Sequence, residues 1–208
     1  MATLPVLLTC QSYFSEGRST VSPSRLIRLA AERGFTCVGL VDHLSVSGAV
    51  ELSQAARESK ITAVIGTTLP ILFPACGKAP PEVFPLVLLA RNRAGYVVLC
   101  ELITEIRLGE LDALPLEALH DRTTHLSGLT GGRHGLPSTL LSRREVPLLY
   151  QRLKALRQHF PGDLYLQLTH DAAPEDKRRL SGLRGLARDL ELPVVATPEI
   201  RSIRYWTP

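Results

Sequence analysis

Residues 37–43 read Cys-Val-Gly-Leu-Val-Asp-His, an apolar run that ends in a carboxylate and an imidazole. Continuous apolar runs of this length suit a strand buried on both faces, and residues 37–42 are read as one. Upstream, residues 23–34 carry a helical pattern. Ser22 stands as N-cap before Pro23, Leu26, Ile27, Ala30 and Ala31 form an apolar stripe, and Gly34 supplies the stop. Downstream, residues 49–59 form the next helix.

The same alternation extends in both directions. Residues 4–10, 63–69, 86–90, 125–130, 164–169 and 193–197 look like further strands, and residues 94–107, 116–120, 141–159 and 176–191 like helices. Pro147 interrupts the third of these helices, which predicts a kink or two helices. The Pro- and Gly-rich piece 73–85 reads as a surface excursion between strands. Apolar strands that alternate with helices imply a mostly parallel sheet joined by right-handed crossovers. Periodicity leaves an open doubly wound sheet and a closed barrel as alternatives. In both, ligands gather at the C-terminal ends of the strands.

The chain of 208 residues suits a single domain spanning 1–208. With 45% hydrophobic and 21% charged residues it has the composition of a globular protein, not a disordered one. Its apolar runs, such as residues 85–90, are far shorter than the roughly 20 residues of a membrane span. The first ten residues lack a basic region and a cleavage site, so no signal peptide is read and a cytoplasmic location is expected. Cys10, Cys37, Cys76 and Cys100 stand far apart, with no CxxC pair, and read as reduced thiols. A net charge of +4, concentrated in the last third, hints at a neighbouring polyanion.

The strand ends present few groups able to do chemistry. A hydrolytic metal centre needs several imidazoles and carboxylates, at least three per cation, and only Asp42, His43, His170, Asp171 and Glu199 qualify. Asp42 and His43 are either metal or acid–base groups, or a turn cap beside a half-exposed imidazole. Asp171 before Pro174 suits a turn. Gly131, Gly132 and Arg133 form a candidate anion-binding nest, although they match no phosphate-loop or dinucleotide fingerprint. No Ser sits in a GxSxG elbow and no Cys has an evident His partner, which disfavours acyl chemistry.

The ordered series Ser12-Tyr13-Phe14-Ser15, 26–34, 38–43, Gly48-Ala49-Val50, Ile65-Gly66-Thr67-Thr68, 86–91, Gly95-Tyr96, 99–102, 126–130, 165–168 and 192–197 resembles the PHP (polymerase and histidinol phosphatase) domain. Within that family it is similar to the N-terminal PHP domain of bacterial C-family DNA polymerases, the replicative alpha subunit and its error-prone relative. Ser12–Ser15 and the missing first histidines lean towards the error-prone branch. The resemblance implies an α/β fold, a distorted seven-stranded (β/α)7 TIM-like barrel. It also implies, in active members, a cluster of up to three metal ions at the strand ends that hydrolyses phosphoesters.

The family's ligand positions carry over poorly. Its HxHxH segment falls on Leu7, Thr9 and Gln11. Its TDH falls on Val41-Asp42-His43, its Glu on Thr68, and its closing NDxH on Pro198-Glu199-Ile200-Arg201. Thr and Gln are weak neutral ligands, and Arg201 keeps its charge in a protein. Two unit charges about 4 Å apart repel by about 4 kcal/mol even at an effective dielectric of about 20, and a divalent ion doubles this. The resemblance therefore implies a degenerate, non-catalytic module with no bound cofactor. Thr9, Gln11, Asp42, His43, Thr68, Glu199 and Arg201 are expected to fill the former metal cavity as a network, with Arg201 paired to Asp42 or Glu199. Polymerase domains or replication and repair subunits are the implied partners, and DNA is reached through them. The alternative is a phosphoesterase holding one Mn, Zn or Mg ion on Asp42, His43, His170 and Glu199.

Overall fold

Residues 23–32 form the first helix for the reasons legible in their sequence. In α1 (Pro23–Glu32), Ser22 Oγ accepts from the Arg25 N–H at 3.2 Å, and Leu26, Ile27 and Ala30 are buried. The chain then turns through Gly34, whose φ is +75°. The computed structural model describes residues 6–170 and 173–200. Its remaining elements are β1 (Val6–Cys10), β2 (Cys37–His43), α2 (Ala49–Glu58), β3 (Thr62–Phe73), β4 (Glu82–Ala90), α3 (Arg93–Leu108), β5 (Leu114–Pro115), β6 (Leu126–Leu129), α4 (Leu136–Ser142), α5 (Val146–Gln158), β7 (Leu164–Leu168), α6 (Asp176–Asp189), β8 (Val194–Ala196) and β9 (Glu199–Ile200).

The strands form one curled α/β sheet in the order β8-β7-β6-β4-β3-β2-β1-β9, with β5 attached to β3 alone. The two ends of that path are consecutive in sequence. Val194–Ala196 pair with β7, Glu199–Ile200 pair with β1, and only Thr197 and Pro198 separate them. Thr197 N–H donates to Leu168 O, while Thr9 Oγ1 donates to Pro198 O at 2.8 Å. The curl thus brings both edges of the sheet to one short segment.

Four expectations are corrected in whole or in part. The first concerns the uniform seven-unit (β/α)7 alternation. β4 runs antiparallel to both β3 and β6, and the described residues contain nine strand segments. The second concerns the bounds of the excursion at 73–85, which is confined to residues 74–81 because the flanking hairpin strands run further: Phe73 pairs with Glu82 and Pro70 stands opposite Pro85. Two prolines can face each other because a non-hydrogen-bonded pair demands no N–H from either. Third, residues 141–159 divide between two helices as expected, but the break lies at residues 143–145, ahead of Pro147 and not at it. Arg144 turns there with φ of +61°, and Pro147 sits in the first turn of α5, where its missing N–H costs nothing. Residues 116–120 form a short 3-10 turn, Leu116–Leu119, instead of a helix.

Side chains segregate by strand parity. The larger core lies between the sheet and α3 to α6 and takes Leu86 and Leu88 of β4 and Leu164, Leu166 and Leu168 of β7. A smaller core under α1 and α2 takes Val38 and Leu40 of β2. The intervening residues face the lumen, where Val41, Val87, Leu89 and Leu129 cluster with Val64, Tyr165 and Val195. All four cysteines are free, and burial, followed by the nearby Asp42 charge, pushes the Cys10 thiol up to about 12. Among the described residues, no helix is long and apolar enough to cross a membrane.

The hairpin is clamped to α5 by charge. Arg152, 3% exposed, donates to Glu82 Oε2 at 2.8 Å and to Pro80 O at 2.7 Å, while Arg143 reaches Glu82 Oε1. Burial alone would raise the Glu82 carboxyl, but hydrogen bonds and charge from Arg143 and Arg152 hold it below its ordinary 4.5. Such a group stabilises the fold above its unfolded value, and that contribution is lost as pH falls through the folded one. In urea titrations across acid pH, Glu82→Gln should flatten the acid loss of stability relative to wild type; an unchanged slope would show the clamp to be inert. Strand crowding gives a second test. A Cβ on Gly39 would stand 2.4 Å from the Leu8 carbonyl oxygen, backbone that cannot step aside. Gly39→Ala should lower unfolding free energy by about 1–3 kcal/mol in urea denaturation.

Candidate functional site

The lumen opens into a cavity of about 300 Å3 at the C-terminal ends of β1 and β2. Its polar lining is Thr9, Gln11, His43, Thr68, Gln167 and Glu199, with Arg18 and His134 also contributing. Val41, Val83, Val87, Pro70 and Pro85 supply apolar wall. Parity explains most of these positions. Val41 and His43 share the lumen side of β2, Val83, Pro85 and Val87 share that of β4, and Tyr165 and Gln167 that of β7. β1 does not obey the simple rule. Its register with β2 shifts between Leu7 and Cys10, so Leu7 enters the outer core while Thr9 and Gln11 reach the cavity. A one-residue irregularity reverses the faces of a strand, and three positions that sequence spacing puts on one side are divided.

Of the residues expected to share a network here, Thr9, Gln11, His43, Thr68 and Glu199 do line one cavity. Thr68 Oγ1 donates to Val41 O at 3.0 Å, and Thr9 Oγ1 lies 3.3 Å from Thr197 Oγ1. Asp42 is elsewhere. It has the parity of Leu40, is fully buried, and is not among the lining residues. Its Oδ1 accepts from the Ser12 N–H at 2.6 Å and the Ser15 hydroxyl at 2.6 Å, and its Oδ2 from the Ser12 hydroxyl at 2.7 Å. Ser15 Oγ in turn accepts the His43 N–H at 3.0 Å. The turn 12–15 is thus a cradle for the Asp42 carboxylate. Arg201 and Asp171 lie outside the described residues.

The glycine-rich segment has other occupations. Gly131 and Gly132 both have positive φ, +83° and +49°. A Cβ on Gly132 would fall 2.0 Å from Glu199 Oε1, so the protein's own carboxylate rests beside this glycine. Arg133 donates to Glu175 Oε1 at 2.9 Å and Asp176 Oδ1 at 2.8 Å, and hydrogen bonding to Arg133 holds the Glu175 carboxyl below its usual range. His170 is exposed and does not line the cavity.

The donor set fits a metal cluster poorly. Two imidazoles, His43 and His134, and one carboxylate, Glu199, line the cavity; the other polar groups there are hydroxyls, amides and Arg18. Among the described residues no group of three or more His, Cys, Asp or Glu side chains is placed to hold an ion. A di- or trinuclear hydrolytic site needs at least three strong ligands per ion. Reasoning from sequence missed Gln167, His134 and Arg18 at this mouth; the alternation along β7 was the signal available for Gln167.

Comparison with known proteins places this geometry in a family. A model of the PHP domain matches residues 8–171. The DNA polymerase III subunit alpha of Caulobacter vibrioides is 27% identical over 203 residues, spanning 94% of this chain and 18% of the relative. The error-prone DNA polymerases of Symbiobacterium thermophilum and Bordetella parapertussis are 31% and 33% identical over 210 and 193 residues, spanning 90% and 85% of this chain. This chain covers 18% of each of those polymerases, so it matches a small part of their length. Among solved structures, a Chromobacterium violaceum amidohydrolase with bound sulfate and no metal superposes with a TM-score of 0.60 at 12% identity, covering 95% of this chain and 87% of its own. A two-domain Bacteroides vulgatus protein described as containing a predicted PHP-like metal-dependent phosphoesterase gives 0.56 at 13% identity, over 96% of this chain and 52% of its own. These neighbours share the curled α/β fold, and the match over residues 8–171 establishes that the chain belongs to the PHP domain family.

Proposed function

We propose that this chain is a PHP module without phosphoesterase chemistry of its own, which acts as a structural and interaction unit beside DNA polymerase domains in replication or translesion synthesis. The observation that carries this reading is the engagement of Asp42. The carboxylate that matches the family's metal-binding aspartate gives both oxygens to Ser12 and Ser15, three hydrogen bonds in all. Charge-assisted bonds of that kind are worth about 1.5–3 kcal/mol each, and surrendering them to ligate an ion would leave three buried donors unsatisfied. No resident metal is part of this reading. Polymerase domains are the partners it favours, because the polymerase relatives it matches carry its counterpart within much longer chains. DNA would then be reached through those domains.

A reduced phosphoesterase site is the second reading, favoured by the presence of His43 and Glu199 in the lining of one cavity. Metal analysis of the purified chain, followed by hydrolysis of a generic phosphodiester with added manganese, separates the two. The module reading expects substoichiometric metal and hydrolysis at the level of buffer. Stoichiometric metal with turnover abolished in His43→Ala would establish the second. The role given to Asp42 is checked by stability. Asp42→Ala should lower unfolding free energy by about 3 kcal/mol or more and Ser15→Ala by about 1–2 kcal/mol in chemical denaturation. An Asp42→Ala protein as stable as wild type would remove the basis for assigning this carboxylate a structural task.

A further inference from the structure

Two primary amides face the same cavity with polar atoms that meet no hydrogen-bond partner: Oε1 of Gln11, and both Oε1 and Nε2 of Gln167. The two residues are 6% and 2% exposed. A polar atom buried without a partner is costly, and folded proteins carry few of them. Three around one hollow identify the hydrogen bonds that the hollow lacks. Gln167 is held on the lumen side by β7, whose Leu164, Leu166 and Leu168 are committed to the outer core. Gln11 is fixed by its backbone N–H, which donates to Ile200 O at 2.8 Å on β9.

The chemistry of the vacancy is specific. A glutamine amide presents a donor and an acceptor side by side in one plane, and its natural complement is a planar edge carrying an acceptor beside a donor. The cavity's charged lining is one guanidinium, Arg18, and one carboxylate, Glu199, so neither sign prevails. Glu199 also rests against Gly132, where an incoming anion would have to displace it. Val41, Val83, Val87, Pro70 and Pro85 offer apolar wall for a ring, and about 300 Å3 lies at the small end of the range for ligand pockets.

We propose that the lumen cavity binds a small uncharged planar molecule with a hydrogen-bond donor and acceptor adjacent on one edge, a nucleobase or a lactam, held by Gln11 and Gln167. This rests on the reading that no metal cluster fills the same mouth. Calorimetric titration of the full chain with adenosine, thymidine and 2-pyrrolidone, with inorganic phosphate and manganese as charged probes, tests it. At least one uncharged probe should bind saturably, and the identity of the probe distinguishes nucleobase from lactam. Gln167→Leu and Gln11→Leu should each weaken that binding tenfold or more while the urea midpoint stays level or rises, since an apolar replacement removes an unpaired amide. Absence of saturable binding by every uncharged probe, or binding indifferent to both substitutions, would overturn the assignment. Saturable manganese binding that excludes the probes would instead count against the metal-free reading, so the two failures are distinct.

Discussion

A carboxylate shut away from water must be surrounded by donors, and Asp42 obtains all of them from one turn, Ser12 to Ser15. That arrangement joins the end of β1 to the end of β2 at the mouth where a PHP fold would gather ligands. It also holds the His43 backbone, because Ser15 Oγ bridges the Asp42 carboxylate and the His43 N–H. With the carboxylate turned to this cradle, the lumen side of β2 presents Val41 and His43 alone. The chemical character of the mouth follows: hydroxyls, amides and apolar walls, with Glu199 as the one carboxylate, where several anionic ligands would be required.

The rest of the mouth conforms to the same pattern of internal satisfaction. Glu199 rests beside a glycine that has no side chain to keep it out, and Arg133 is drawn to Glu175 and Asp176 on the approach to α6. Thr9 and Thr68 spend their hydroxyls on the carbonyls of Pro198 and Val41. The amides of Gln11 and Gln167 stand apart because their strands hold them inside the curl with polar atoms that meet no partner. A protein interior seldom tolerates such atoms without reason, and here they surround empty space of molecular size.

Much of the architecture was legible in local sequence. Ser22, Pro23 and Gly34 delimit α1 through capping and backbone chemistry that depends on nearby residues alone, and the apolar runs mark most strands. Strand direction is another matter. Residues 86–90 read as one more strand of a mostly parallel sheet, yet β4 is antiparallel to both neighbours, because an apolar run records burial and not polarity. The break between α4 and α5 was attributed to Pro147, whereas the chain turns at Arg144 and uses the proline to start the next helix.

Sequence alone determined the α/β class, the family resemblance, and the poverty of ligands at positions 7, 9, 11, 68 and 201, since each is a matter of residue type and order. Tertiary structure decided where those residues point. The irregularity in β1 separates Leu7 from Thr9 and Gln11, and Asp42 finds its partners in a turn some 30 residues earlier in the chain. Side-chain direction in a sheet depends on register, and register is set by hydrogen bonds between segments remote in sequence; no local pattern contains it.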